Sequence, residues 1–541
     1  MTARRLVWLR RSCQALFLAF FLLLLVESRL PLDVYQDYSL AFLSDEDLRL
    51  WWPVTFFFQL DPLVGLTSLL SAGVLISGFF WGAAVLVLTL LLGRVFCGFV
   101  CPFGSTHHAV SWFKPSLKGD RMVRANRKSG GQRVKYFLLI LLLAAAVLGL
   151  NVAGWLDPIA LLFRSLALAV LPAVGNGLRA VFEAMATSDI RIVKLLSYGA
   201  EILVAPVFGY EPKAYQTAWL IGALFLTILF LNRIRPRFWC RFLCPLGALL
   251  GLCSRFSLLR LEKYPDKCTQ CNLCTRSCQG AACPQPGESW QTAECVTCFN
   301  CFDVCPEDAL TFTFRFTPVM TEKPDIGRRA VIGGLLGGVS LPLLGRLDGL
   351  VDKTGDPRLI RPPGSLPESE FLQLCQRCGQ CMKVCPTNAI QPTLAEAGMA
   401  GFWSPHLVMV QGYCEYTCTL CGSVCPTGAI ARISAREKVE RPVKIGSAYV
   451  DRGRCLPWSG NAPCIVCQEH CPTSPKAIYL IDELVSGPEG KKLQVQLPYV
   501  DLKRCVGCGI CENKCPVRGL PAIRTIAAGE SRSMRNQILL L

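Results

Sequence analysis

Thiols set at short, fixed intervals can cap several metal ions at once, and this chain is full of them. Residues 268–306 read CTQCNLCTRSCQGAACPQPGESWQTAECVTCFNCFDVCP. Cys268, Cys271, Cys274 and Cys278 follow the spacing C-x2-C-x2-C-x3-C, as do Cys295, Cys298, Cys301 and Cys305, and Pro306 comes next. This spacing wraps a [4Fe–4S] cube: three near thiolates cap three irons, and in two-cluster proteins the fourth thiolate comes from the other run. The expected ligand sets are therefore Cys268, Cys271, Cys274 with Cys305, and Cys295, Cys298, Cys301 with Cys278. Cys283, which precedes Pro284, competes with Cys278; the x3 spacing favours Cys278. Zinc ribbons use separated Cys pairs, and disulfide frameworks belong to short secreted chains, so neither explains triple-Cys runs.

Four more sets follow. Cys375, Cys378, Cys381, Cys385 and Cys505, Cys508, Cys511, Cys515 are regular. Cys414, Cys418, Cys421, Cys425 have x3 in the first gap, and Cys455, Cys464, Cys467, Cys471 have x8 there; all four sets end in Cys-Pro. Six complete sets predict six [4Fe–4S] clusters. A different motif occurs twice upstream: Cys97-x3-Cys101-Pro-x-Gly104 and Cys240-x3-Cys244-Pro-x-Gly247. If the two meet, four thiolates suit a tetrahedral metal ion or a seventh cluster.

These motifs need elements to hold them. The chain has 541 residues, 31 Cys, four His and a formal net charge of +17. Its mean hydropathy of +0.38 is that of a chain with membrane helices. Four spans are expected: 13–26, about 70–93, about 136–154 and about 216–232, each near the length a bilayer needs. Arg and Lys gather at 4–11, 114–135 and 233–237, which sets those ends inside. This placement explains the positive charge without nucleic acid. Acidic residues (Asp33, Asp37, Asp45, Glu46, Asp47, Asp61) and Trp51-Trp52 mark an outer loop, and residues 155–213 read as an outer region with amphipathic helices on the membrane. Asp61-Pro62-Leu63 and Asp157-Pro158-Ile159 recur ahead of the two Cys pairs, so the spans look duplicated about an axis along the membrane normal. That symmetry brings Cys97, Cys101, Cys240 and Cys244 together at the inner surface. Arg328-Arg329 precede an apolar, Gly-rich stretch resembling a twin-arginine export signal, with residues 330–345 as a fifth crossing.

Four spans, two C-x3-C-P-x-G motifs and a following two-cluster ferredoxin resemble the NapH/MauN type of membrane polyferredoxin over about residues 1–315, and are similar to the membrane cores of NosR and CcoG. Residues 325–530 resemble the NapG/MauM ferredoxin. The expected fold is multidomain: a four-span α-helical membrane domain (1–255), a bacterial-type α+β ferredoxin domain (256–320), a signal-like segment (321–350) and a four-cluster domain (351–541). Resemblance to four-cluster subunits implies that the first and fourth C-terminal sets pair, as do the second and third; neighbour pairing is the alternative. It also implies quinol oxidation and electron transfer in the inner (cytoplasmic) membrane, with the quinol pool and a redox protein as partners, the first ferredoxin cytoplasmic and the C-terminal domain periplasmic. The CcoG likeness implies the other reading, copper handling or metalloenzyme assembly. No Walker loop, no nucleophile–base pair and no C-x-x-C-H haem motif competes with these readings.

Overall fold

The computed structural model describes residues 3–29, 50, 52–76, 78–113, 119–209, 212–315, 326–351, 356–394, 396–440, 443–460, 462–486 and 492–533. Asp33, Asp37, Asp45, Glu46, Asp47 and Trp51 lie outside them. In chain order the main helices are α1 (Ala3–Glu27), α2 (Phe56–Gln59), α3 (Pro62–Ala72), α4 (Phe79–Leu92), α5 (Pro102–Phe113), α6 (Arg133–Val147), α7 (Pro158–Ser165), α8 (Leu171–Ala186), α9 (Arg191–Phe208), α10 (Ala218–Phe230), α11 (Pro245–Ser254) and α12 (Arg328–Val351). The chain divides into two compact units: Met1–Val26, Pro53–Val170 and Ala218–Leu344 in the first, and Glu27–Trp52, Leu171–Thr217 and Gly345–Leu541 in the second.

In the first unit, the expected span at 70–93 is two helices. Asp61 caps α3 by accepting from Leu63 N at 2.8 Å, with Pro62 at the first helical position. Gly73, at φ 67°, ends α3 in the left-handed conformation that glycine adopts freely. The chain then returns as α4, antiparallel, with Gly65 against Phe79 and Gly82 against Pro62. Asp157 caps α7 in the same way, accepting from Ile159 N at 3.0 Å and Ala160 N at 2.7 Å. The outer-region reading of 155–213 needs a second correction. Residues 158–170 are packed in the core of the first unit, with Ile159, Ala160 and Leu162 fully buried, and only 171–217 belongs to the second. The alternation of charge that suggested a surface helix begins after Val170. Among the described residues, three helical stretches are long and apolar enough to cross a membrane, 3–27, 130–147 and 158–186; Pro62–Ala72, Phe79–Leu92, Ala218–Arg233 and Pro245–Ser254 are shorter apolar helices. The span expected at 136–154 starts earlier, at 130, and its helix ends at Val147.

The glycines of α12 lie along α6. Gly333 meets Phe137, Gly334 meets Ile140, Gly337 meets Leu141 and Gly338 meets Ala144, so the two helices run in parallel. A Cβ at Gly338 would stand 2.6 Å from that of Ala144. This is the close approach that small residues permit between packed helices.

Each ferredoxin region has one plan: a strand or bridge, two Cys sets, then a returning strand. β1 (Leu259–Lys263) pairs antiparallel with β2 (Leu310–Phe314) around the first two sets. In the second unit, short β3 (Ile390–Pro392) pairs with β4 (Pro405–Leu407), and a bridge joins Ser365 to Ile430 around the next two sets. β5 (Ser447–Val450) pairs with β8 (Ile523–Ile526) around the last two. Between those last sets β6 (Ile478–Ser486) and β7 (Lys492–Val500) form a long hairpin.

Candidate metal centres

The strands that flank each pair of sets fix which thiols can meet. Cys268, Cys271, Cys274 and Cys305 line one pocket with Pro306. Cys278, Cys295 and Cys298 surround Cys301; burial first, then these neighbours, push its thiol up. Cys283 instead faces Glu288 and Lys128. In the second unit, Cys375, Cys378 and Cys381 share a pocket with Cys425. Cys421 faces Cys418, Cys414 and Cys385. Cys511 faces Cys508, Cys505, Cys467 and Cys471, Cys508 faces Cys505, Cys414 and Cys471, and Cys455 faces Cys464 and Cys515. Neighbouring sets therefore exchange their fourth cysteines. The one-with-four and two-with-three pairing is overturned, because the Ser365–Ile430 bridge and the β5–β8 ladder each close around consecutive sets.

The two upstream motifs also meet. The Cys101 thiol is pushed up by burial and then by Cys97 and Cys240, and the Cys244 thiol by burial and then by Cys240, Cys97 and Cys101. Each motif turns into a helix through its Cys-Pro; Cys244 caps α11 by accepting from Gly247 N at 3.2 Å. Among the described residues no three His, Cys, Asp or Glu side chains are placed to hold a single metal ion. The thiols of Cys97, Cys101, Cys240 and Cys244 form one quartet of mutual neighbours. Its flanking residues also carry three buried N–H groups without a protein acceptor, Arg94 Nε, Arg237 Nε and Trp239 Nε1. Cluster sulfides are acceptors that a bare thiol set lacks, so the residues fit a cluster. Unligated buried thiols stay protonated, and iron would displace those protons.

Buried cations, a signal the Cys spacing does not carry, tie the quartet to the first ferredoxin. Arg94, 2% exposed, reaches Cys97 Sγ at 3.9 Å and donates to Ala293 O at 2.9 Å, two residues from Cys295. Arg241 donates to Cys278 O at 3.1 Å and Gln279 O at 2.8 Å. Arg237 donates to Cys97 O at 3.3 Å. Arg10 on α1 donates to Asn300 Oδ1 at 3.2 Å and lies in the field of Cys298. Glu294 is held by Lys135 and by Tyr136 Oη at 2.9 Å. A Cβ at Gly98 would stand 2.2 Å from Val296 O, so the backbone of the first motif lies directly against the second cluster loop. In the second unit Lys438 does comparable work, donating to Cys414 Sγ at 3.5 Å and to Glu415 O and Cys418 O, both at 2.7 Å. Burial would lower its ammonium, but the thiolates of Cys414, Cys418 and Cys421 hold it above its ordinary value.

The chain is similar to known proteins. Residues 74–119, 215–263 and 421–445 match the family described as a 4Fe-4S binding domain. Residues 374–429 match a 4Fe-4S dicluster domain, and 498–520 a 4Fe-4S binding domain. The methylamine utilization ferredoxin-type protein MauM of Paracoccus denitrificans is 36% identical over 202 residues, which span 37% of this chain and 83% of that protein. The ferredoxin-type protein NapG of Escherichia coli is 35% identical over 212 residues, 38% of this chain and 87% of that protein. The chain belongs to the NapH/MauM-type polyferredoxins. This polyferredoxin is also similar to the ferredoxin-type protein NapH of Haemophilus influenzae, 27% identical over 268 residues, 47% of this chain and 75% of that protein. No solved structure matches it. The polyferredoxin is an iron–sulfur electron-transfer protein with membrane-helix candidates.

Proposed function

We propose that this polyferredoxin carries electrons from membrane quinol, through a series of [4Fe–4S] clusters, to a redox partner outside the inner membrane. The six four-Cys sets, with fourth ligands exchanged between neighbours, hold six clusters, and Cys97, Cys101, Cys240 and Cys244 hold a seventh. Clusters bound there pass single electrons between sites too far apart for direct transfer. The observation that carries this reading is that the thiol sites adjoin in series. In the second unit Cys414 N donates to Cys508 O at 2.8 Å, which abuts the Cys414/418/421 site on the Cys505/508/511 site. The order is Cys375/378/381/425, Cys414/418/421/385, Cys505/508/511/471, Cys455/464/467/515. In the first unit, Arg94 leads from the quartet to the Cys295 loop.

Two observations support a periplasmic C-terminal domain. Residues 171–217 follow a crossing whose outer end the charge pattern sets, and they are bonded into the C-terminal domain. Lys213 Nζ donates to Lys383 O at 3.0 Å and Cys385 O at 2.9 Å, and Tyr215 Oη to Met382 O at 3.1 Å. The parallel packing of α12 on α6 gives residues 328–344 the same inside-to-outside direction as α6. Menaquinol-analogue titration of the purified full chain, followed by EPR and iron analysis, tests the reading. Iron near 28 per chain with quinol-reducible signals is expected, at four per cluster. Clusters reduced by dithionite but never by quinol would remove the donor from it.

A further inference from the structure

Asp61 and Asp157, the first residues of the repeated Asp-Pro motif, have a relation that helix capping does not use up. Both are almost wholly buried, at 2% and 0% exposure. Each spends Oδ1 on the backbone N–H groups of its own helix, and each Oδ2 is buried without a protein donor. The two side chains stand within hydrogen-bonding range of each other. An ionised carboxylate only accepts hydrogen bonds, so the two outer oxygens can satisfy one another only if a proton lies between them. Two anions in such contact, sealed from water, would also repel strongly.

The surroundings set the pair's charge balance. The sequences of α2, α3, α4 and α10 contain no ionisable side chain. α7 supplies Arg164, which acts on Asp157 and also donates to Gly154 O at 3.2 Å. α5, packed on α7, carries His107 and His108, which bond to Asn232 and Gln14. α6, packed on α3, starts with Arg133 and Lys135, and Lys135 is paired with Glu294. One guanidinium and two helix N-termini stabilise negative charge on the pair, and the contact between the two buried carboxyl groups opposes a second one. Its depth follows from α4: a Cβ at Gly82 would meet Pro62 Cα at 3.1 Å and Asp61 O at 3.4 Å. From Gly82 to Leu92 the helix rises about 15 Å, roughly half the hydrocarbon thickness of a bilayer.

We propose that Asp61 and Asp157 form one proton-binding site in the membrane core, holding a shared proton at rest and taking up a second when quinol is oxidised. This rests on the quinol reading above. A quinol that becomes quinone gives up two electrons and two protons. One electron goes to each of two cluster sites, one proton converts the singly charged pair into two neutral carboxyl groups, and the other proton leaves to water. The sum is balanced with no further reactant.

Infrared difference spectroscopy of the full chain in lipid reads the carboxyl groups directly. The oxidised protein at neutral pH should show a deuterium-sensitive carboxylic C=O band that disappears in Asp61→Asn and in Asp157→Asn. The band should grow when a menaquinol analogue reduces the clusters. Quinol-driven reduction should slow about a hundredfold in either variant, within the usual range for loss of a proton acceptor, while dithionite, which delivers electrons without protons, reduces variant and wild type alike. Asp61→Glu should restore the band, and it keeps the test open if the amide variants fail to fold. Absence of the band in the oxidised wild type, or its survival in both amide variants, overturns the shared proton. A band that stays constant while quinol reduces the clusters overturns the acceptor role. If quinol reduces nothing in the wild type, the donor reading fails and the acceptor role with it, yet the resting band still decides whether the proton is shared.

Discussion

The first ferredoxin region and the C-terminal one share a plan, paired Cys sets inside a two-strand clasp, but differ in what surrounds the thiols. Around Cys268–Cys305 the supports come from distant parts of the chain: Arg10 from α1, Arg94 from beyond α4, Lys135 and Tyr136 from α6, and Arg241 from the second Cys motif. Around Cys375–Cys515 they are near in sequence: Lys438 follows the Cys414 set closely, and the segment reaching in from elsewhere is 213–216. One region is built into a bundle of apolar helices. The other is closer to a self-contained ferredoxin pair to which a helical hairpin, α8 packed on α9, is tied. Thiol spacing alone makes the two look alike; the origin of the cations separates them.

That contrast breaks most visibly at Glu294. Its carboxylate is the counter-charge of Lys135, which is 0% exposed, and it also accepts from Tyr136. Removing one member of a buried ion pair leaves the other uncompensated, typically at about 3–5 kcal/mol. Glu294→Ala is expected to cost both clusters of the first ferredoxin while the C-terminal signals persist. EPR and iron counts on the full chain measure this, and equal loss from both regions would show that they are not separately built.

The next effect is the loss of a single site. Neighbour exchange assigns Cys385 to the Cys414/418/421 site, not to its own run. Cys385→Ser should therefore remove one C-terminal signal, the same one that Cys418→Ser removes, and Cys378→Ser should remove a different one. Coincidence of the Cys385 and Cys378 losses would restore each fourth cysteine to its own set.

A smaller effect distinguishes an electrostatic support from a ligand. Lys438 stabilises whatever negative charge the Cys414 site carries. Hydrogen bonds to charged groups are worth about 1.5–3 kcal/mol, which for one electron is on the order of 100 mV. Lys438→Met should lower that site's potential by about this amount and leave cluster content unchanged. A redox titration showing no shift would mean the lysine only holds Glu415 O and Cys418 O.

How much of this could be read from the residues depends on the reach of each interaction. The Cys runs are legible because three thiols fall within one turn, and the spacing also picks out Cys278, the residue that lies beside Cys301, over Cys283, which faces Glu288. The symmetric meeting of Cys97, Cys101, Cys240 and Cys244 follows from the repeat. The pairing of C-terminal sets was not legible: the fourth ligand is remote, and the deciding contact, Ser365 with Ile430, is one bridge with no sequence pattern. The reading of 70–93 as one span failed because hydropathy cannot see a left-handed glycine at position 73 between two apolar runs. Residues 158–170 were placed outside because apolar sequence there continues into the hairpin, and composition does not mark where a helix leaves one packed unit for another. The buried arginines were assigned to loop ends by the charge rule; their carbonyl acceptors lie up to 290 residues away in the case of Arg10 and its asparagine.

The smallest expected effect tests the tie between the hairpin and the C-terminal domain. Lys213 donates to two carbonyls, those of Lys383 and Cys385, on the loop that carries a ligand of the second site. Ala214 O accepts from Asn388 Nδ2 at 2.7 Å and from Gln411 Nε2 at 2.6 Å, so the backbone of the tie stays bonded when one side chain is removed. Lys213 is half-buried, and water can replace part of what it gives. Lys213→Ala should then cost about 1 kcal/mol locally, the net value of an ordinary hydrogen bond. Hydrogen exchange should report it as faster opening of the amides at 382–385, with those at 505–511 unchanged, because opening is local where few contacts cross. Tyr215→Phe, which removes only the bond to Met382 O, should act in the same place and more weakly. Equal acceleration at both sets would mean that the C-terminal domain opens as one cooperative body. The support at 213–216 would then be as global to its region as Arg94 and Glu294 are to theirs.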